Sequence, residues 1–270
     1  MSTKIGRRFR EVAQLTRTFK IPPRDFSALR AQLNSIGWFL PPFVSVGFIE
    51  QRLREHEMRG GGTFTQDDLE QMLAFLYGPH HLARMVLHRY PLVPVVGLYA
   101  QTISEAVWAH FSGLRHVAAG GLIPAIEGIG RRLAIERGLD SDAPVKVVFD
   151  SLAAHAKEHV VSTQIGAVGE NLTMLDSFSS FTRFYFYAKT GQYPLLDGTN
   201  RHGVTHGHYT DLDYGRPLNF FKTIAAIDFL TYLSLLKPLN MSGFAPDDTP
   251  ASKTLAARYS AIAGKYASQN

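Results

Sequence analysis

The chain is 270 residues long, 45% hydrophobic and 19% charged, a balance that supplies a sizeable core and excludes a disordered polymer. It has no cysteine, which excludes disulfides, thiolate metal sites and a cysteine nucleophile and suits a reducing cytosol. The net charge of +5 is uneven: Lys4, Arg7, Arg8, Arg10, Arg17, Lys20, Arg24 and Arg30 face only Glu11 and Asp25, so the first 30 residues carry +6 and the rest −1.

That basic start can hold RNA or another polyanion through phosphate contacts, or be a solvated helix face. Met1 to Arg8 has no apolar run behind its basic residues, so no secretory signal is visible, and no window reads as long and apolar enough to span a bilayer. The expectation is a cytoplasmic protein with no membrane partner.

Helical spacing dominates from there on. Phe26, Leu29, Leu33 and Ile36 step by three and four within residues 24–36, and Gly37 is a plausible stop. A second helix is expected over 43–58, ending at Gly60-Gly61-Gly62. Thr65 three residues before Asp68 is close to a capping box and precedes Leu69, Met72, Leu73 and Leu76 on a third helix. Pro91 and Pro94 then break the pattern. Residues 1–90 are therefore expected to form an N-terminal helical unit, 91–245 a helical domain, and 246–270 a tail with one short helix.

Within the second unit, helices are expected over 99–111, 122–133, 143–160, 172–190 and 217–236, and over 255–266 in the tail. Leu122, Ile126, Ile129 and Leu133 form one stripe, with Gly120, Gly121 and Pro124 at its start and Glu127 at its edge. A carboxylate there is either a boundary residue or part of a polar site. Phe178, Phe181, Phe184 and Tyr185 form an aromatic stripe that suits core packing better than base stacking. The 217–236 helix is apolar nearly all round and should be central, and its Asp228 needs a partner such as Arg201 or a histidine unless the helix end emerges into solvent. No run of alternating strands appears, so the fold class is all-α, a helical bundle with an additional N-terminal helical unit.

Chemistry concentrates in Asn200-Arg201-His202-Gly203-Val204-Thr205-His206-Gly207-His208. Arginine stays charged and offers a fixed fork of donors to phosphate oxygens, and histidine exchanges a proton near neutrality. Together they can cleave a phosphodiester without a metal. A metal site is the rival: His202 and His206 share a helix face, with His208 and Asp211 nearby, but the intervening glutamate of zinc-hydrolase helices is missing and Gly203 and Gly207 loosen the helix. A third possibility is a binding or scaffold role without chemistry.

Arg201-His202-Gly203-Val204-Thr205-His206 resembles the arginine, polar residue, three variable residues, histidine signature of the HEPN superfamily (higher eukaryotes and prokaryotes nucleotide-binding), all-helical domains many of which are RNases. Leu122 to Gly128, Asn200 to Gly207 and Asp213-Tyr214-Gly215 before a long apolar helix, with Gly37-Trp38-Phe39-Leu40-Pro41-Pro42 upstream, are similar to a bacterial branch of that superfamily. The resemblance implies a homodimer whose facing arginines and histidines make a composite, metal-independent endoribonuclease site acting in defence or stress, with RNA as substrate, no cofactor, and a cognate antitoxin or defence partner. On that basis Arg201 and His206 are the catalytic candidates, and His202, Asn200 and Glu127 support them. The alternative it leaves open is a non-catalytic RNA- or nucleotide-binding scaffold.

Overall fold

A computed structural model describes residues 25–236 and 245–267. The basic residues from Lys4 to Arg24 lie outside that range; of the expected basic arm only Arg30 is described. The described residues form twelve α-helices and no strand, so the all-α expectation holds. In chain order these are α1 Ser27–Ser35, α2 Val46–Met58, α3 Gln66–Leu76, α4 Pro79–His88, α5 Pro94–Gly97, α6 Ala100–Phe111, α7 Arg115–Glu136, α8 Val145–Thr163, α9 Val168–Phe181, α10 Arg201–Thr205, α11 Pro217–Leu235 and α12 Pro250–Ala267.

Local signals set most of the boundaries. Gly37, at φ +67°, ends α1. Ser45 Oγ accepts from Phe48 N at 3.2 Å to start α2, and Thr65 and Asp68 make the reciprocal capping box at the start of α3. The pattern between Thr65 and Pro91 is two helices, because Pro79 occupies the first turn of a new one.

Two expectations need correcting. Pro124 lies inside α7, which begins nine residues earlier at Arg115. Pro124 is exposed and Gly120 is half-buried, so the missing hydrogen bond falls on the outer side of the helix, where water can replace it. The helix expected to reach residue 190 stops at Phe181, and the chain passes through a π-turn, Thr182–Phe186. Past this break Asn200 holds the chain, its Nδ2 donating to the carbonyls of Tyr185 (3.1 Å) and Ala188 (2.9 Å). Phe178 and Phe181 are core residues, whereas Phe184 points outward.

Helix α11 is the centre of the molecule. It packs on α7, α3 and α5; α8 lies on α7 and α9, α1 on α9, and α12 on α4 and α6. Phe229 of α11 stacks on Phe178 of α9 with centroids 4.0 Å apart. Among the described residues, α11 is by length and composition the one helix that could cross a membrane, contrary to the expectation that no window could, but most of it is enclosed by its neighbours. The buried apolar residues on both sides of Pro91 and Pro94 form one continuous core from Phe26 to Tyr259. The expected tail is a longer helix, and Ala256 and Tyr259 join that core.

Helix α3 also secures the polar end of α11. Glu70 Oε2 accepts from Leu218 N at 3.2 Å, placing a carboxylate at the positive end of the α11 dipole, and Arg216 Nη2 lies 3.2 Å from the same oxygen. Asp228 is fully buried, accepts from Tyr90 OH at 2.7 Å and lies 3.7 Å from His81 Nε2. Its partner is thus a tyrosine and a histidine, not Arg201, and it does not emerge into solvent.

Candidate functional site

Helix α10 has only five residues, too few to stand on its own hydrogen bonds. Asn200 supports it from below, accepting from Gly203 N at 2.8 Å through Oδ1 while its amide nitrogen holds the π-turn carbonyls. The Tyr209 ring packs directly against Gly203, where a Cβ would come within 2.3 Å of it. Asn200 is therefore fully buried and committed to backbone. It supports the site as a helix cap and does not face the Arg201 side chain's partners.

The loop leading to Asn200 is fastened to α11 by a buried ion pair. Asp197 Oδ2 lies 2.9 Å from Lys222 Nζ, and both side chains are fully enclosed. Tyr193 OH donates to Asp197 Oδ1 at 2.6 Å, Thr199 Oγ1 donates to Oδ2, and Lys222 Nζ donates to Gln66 Oε1 at 3.0 Å. Burial pushes the Asp197 carboxyl up, but the Lys222 ammonium and these hydrogen bonds outweigh it and hold the group below its ordinary range.

On this base, Arg201 is gripped from two sides. Its Nε (3.1 Å) and Nη2 (2.9 Å) both donate to Glu127 Oε2, reaching from α10 to α7. The remaining arm, Nη1, lies 2.8 Å from His206 Nε2 and 3.3 Å from His202 Nδ1. A guanidinium only donates, so both ring nitrogens accept here, which places the proton of a neutral His206 on Nδ1 and that of a neutral His202 on Nε2. The His202 and His206 rings lie nearly parallel, 5.6 Å between centroids. Burial, the Arg201 charge and His206 together lower the His202 pKa, with Glu127 opposing them. Arg201 and Glu127 are partly covered, at 16% and 21% side-chain exposure, while His206 is open to solvent.

The structure thus joins Arg201, His206, His202 and Glu127, and it leaves His208 and Asp211 apart from them. The His208 ring is 6.5 Å from that of His206 at a steep angle, and Asp211 lies nearest His116, at 3.9 Å. Among the described residues no three histidine, aspartate or glutamate side chains are placed to share a metal ion. His202 and His206 each point one ring nitrogen at the permanent charge of Arg201, which disfavours a second cation between them.

Sequence reasoning passed over Arg131, whose Nη2 lies 3.4 Å from Glu127 Oε1. The four-residue spacing on one helix was the available signal. Lys222 and Asp197 were passed over as well; a lysine amid the apolar run of α11 was the hint. Compared with protein-family models, curated proteins and solved structures, the chain finds no match.

Proposed function

We propose that the chain is a HEPN-like, metal-independent endoribonuclease acting through Arg201 and His206. The observation that carries this reading is the 2.8 Å contact between Arg201 Nη1 and His206 Nε2 at an exposed edge, with Glu127 holding the opposite side of the guanidinium. A charge clamp and a proton carrier are thereby oriented before any substrate arrives.

When an RNA phosphate takes the Nη1 donor, His206 Nε2 is released to accept the ribose 2′-hydroxyl proton. The 2′-oxygen attacks phosphorus, Arg201 stabilises the charge on the non-bridging oxygens, and the 5′-oxygen leaves. The products are a 2′,3′-cyclic phosphate and a 5′-hydroxyl. The leaving oxygen needs a second proton donor, which the same histidine of a second copy supplies in a composite homodimer site. In support of a dimer, Leu196 and Leu212 are each 97% exposed on the two loops flanking α10. A cytoplasmic setting and a cognate antitoxin or defence partner belong to the same reading.

The test is cleavage of varied RNAs by the purified chain, with light scattering to read the oligomer. Arg201→Ala and His206→Ala should each abolish cleavage, His208→Ala should retain it, and chelator should leave it unchanged. The non-catalytic RNA- or nucleotide-binding scaffold has one observation in its favour: Glu127 already neutralises Arg201. Binding of RNA without cleavage by the wild type would move the conclusion to that scaffold, and a stoichiometric metal whose removal stops cleavage would restore the metal alternative.

A further inference from the structure

Where α1, α8 and α9 meet the π-turn, an open groove of about 720 Å³ crosses the surface. Arg30 reaches it from α1, Asp150 and Lys157 from α8, Asp176 from α9, and Arg183 and Phe184 from the π-turn. Phe184 is out of place in a core stripe. Its spacing groups it with Phe178 and Phe181, both buried, yet it is 60% exposed. The π-turn accounts for this: Tyr187 N donates to Thr182 O, five residues back, at 2.9 Å. The extra residue in that turn shifts the side chains after Phe181 out of α-helical register, so Phe186 and Tyr187 take the interior and Phe184 is left in solvent. Single π-turns of this kind recur at functional sites.

The exposed ring has a cation beside it. The Arg183 guanidinium lies over Phe184, 6.0 Å from the ring centroid, and has no carboxylate partner among the described residues. Deeper in the groove one carboxylate, Asp176, serves two cations, Arg30 Nη1 at 3.2 Å and Lys157 Nζ, and all three side chains are a third or more exposed. Three cations thus face two acids, Asp150 and Asp176, and exposed pairs of this kind yield a cation to a competing phosphate at little cost. Charge along the chain adds to the excess. Lys4, Arg7, Arg8, Arg10, Arg17, Lys20 and Arg24, with Glu11 as the one acid among them, precede α1, which forms one wall of the groove. The groove also borders the Arg201 edge: Asn200 Nδ2 donates to Tyr185 O, so Phe184 and Arg201 each lie one residue from the same hydrogen bond.

We propose that this groove holds single-stranded RNA beside the cleavage point, with one base stacked on Phe184 and the adjoining phosphates on Arg183 and Lys157. A ring with a cation at its face, set in a groove of positive excess, matches the alternation of base and phosphate along a single strand. The assignment to RNA rests on the ribonuclease reading; the stacking platform does not.

Fluorescence anisotropy tests it, with the full chain titrated into a labelled, mixed-sequence single strand carrying 2′-O-methyl riboses. That strand cannot be cut, because the attacking hydroxyl is blocked, so binding is read apart from cleavage. Phe184→Ala and Phe184→Leu should each weaken binding about tenfold, and Phe184→Trp should retain it, since stacking needs an aromatic face. Arg183→Gln should weaken binding and lower the salt dependence by about one phosphate contact. Phe75→Ala, which removes a ring 70% exposed on α3, should bind as the wild type does. The same sequence as a duplex, its bases already stacked on one another, should bind less tightly and respond little to Phe184→Ala. No saturable binding of the single strand, wild-type affinity in Phe184→Ala or Phe184→Leu, or an equal loss on the duplex overturns the platform, and tighter binding of the matching DNA strand overturns the assignment to RNA. Failure of the ribonuclease reading shows separately, as an unmodified RNA strand that binds and is not cut.

Discussion

At the scale of single residues, Arg201 uses three donors in one plane, two for Glu127 and one for the imidazoles. Lysine cannot reproduce that fork, so if the proposed ribonuclease reading holds, Arg201→Lys keeps the charge and the fold yet loses cleavage by about a hundredfold or more, measured as kcat/KM on one RNA. His110 makes a separate prediction. It stacks on Phe220 at 4.0 Å, and burial, aided by the Arg115 charge, pushes its pKa down to about 3. The unfolded chain takes up this proton below about pH 6.5 and the native chain does not, so from this group stability is full above that pH and falls toward pH 3 by up to about 1.4 kcal/mol per unit. Asp228 acts in the opposite sense, because burial raises its pKa and the native carboxyl is protonated before the unfolded one. His110→Phe preserves the stack and should flatten the loss of Tm between about pH 7 and 5; an equally steep loss would remove His110 as its cause. The sequence made Arg201 and His206 legible because their spacing is local, and it marked Glu127 by its place at the edge of a stripe. That Glu127 grips Arg201 across 74 positions was not legible, since nothing local encodes which helix face meets a loop so distant.

At the scale of elements, the segment before α10 depends on the enclosed Asp197–Lys222 pair. Lys222→Met should cost about 3–5 kcal/mol, because it strands a carboxylate in the core, and adding Asp197→Leu should recover much of the loss. Urea unfolding of the single and double variants measures this; a double variant as unstable as the single would mean that the pair adds net stability beyond mutual neutralisation. Several elements could be read directly, such as the α3 capping box, because their determinants lie within four residues. The elements misread have determinants further off. The turn that follows α9 is held by Asn200, 15 residues beyond Tyr185, and Pro124 is tolerated inside α7 because of where that part of the helix faces.

At the scale of the whole molecule, the prolines near residue 90 mark a bend in the path of the chain and not the edge of a core. Gln66 of α3 bonds Lys222, Glu70 caps α11, and α1 covers α9. A fragment starting at residue 91 should therefore lack fixed tertiary structure, and the full chain should unfold in one transition. Circular dichroism in the near ultraviolet on both would check this, and a well-folded fragment with cooperative melting would contradict it. The all-α class was legible from helical spacing alone, whereas the merging of two expected units into one core was not, because periodicity identifies which face is apolar and not what it lies against.

The enclosure of α11 has a consequence for how the protein is made. Helices α3, α5 and α7, on which it packs, leave the ribosome with apolar faces whose partner is not complete until residue 235 has been added. During that interval the growing chain can form its local helix contacts but not the long-range ones that α11 makes with α3, α5 and α7. A chain stalled or truncated before Pro217 should therefore expose those faces and aggregate more readily than the full chain, as light scattering of a fragment ending there would show.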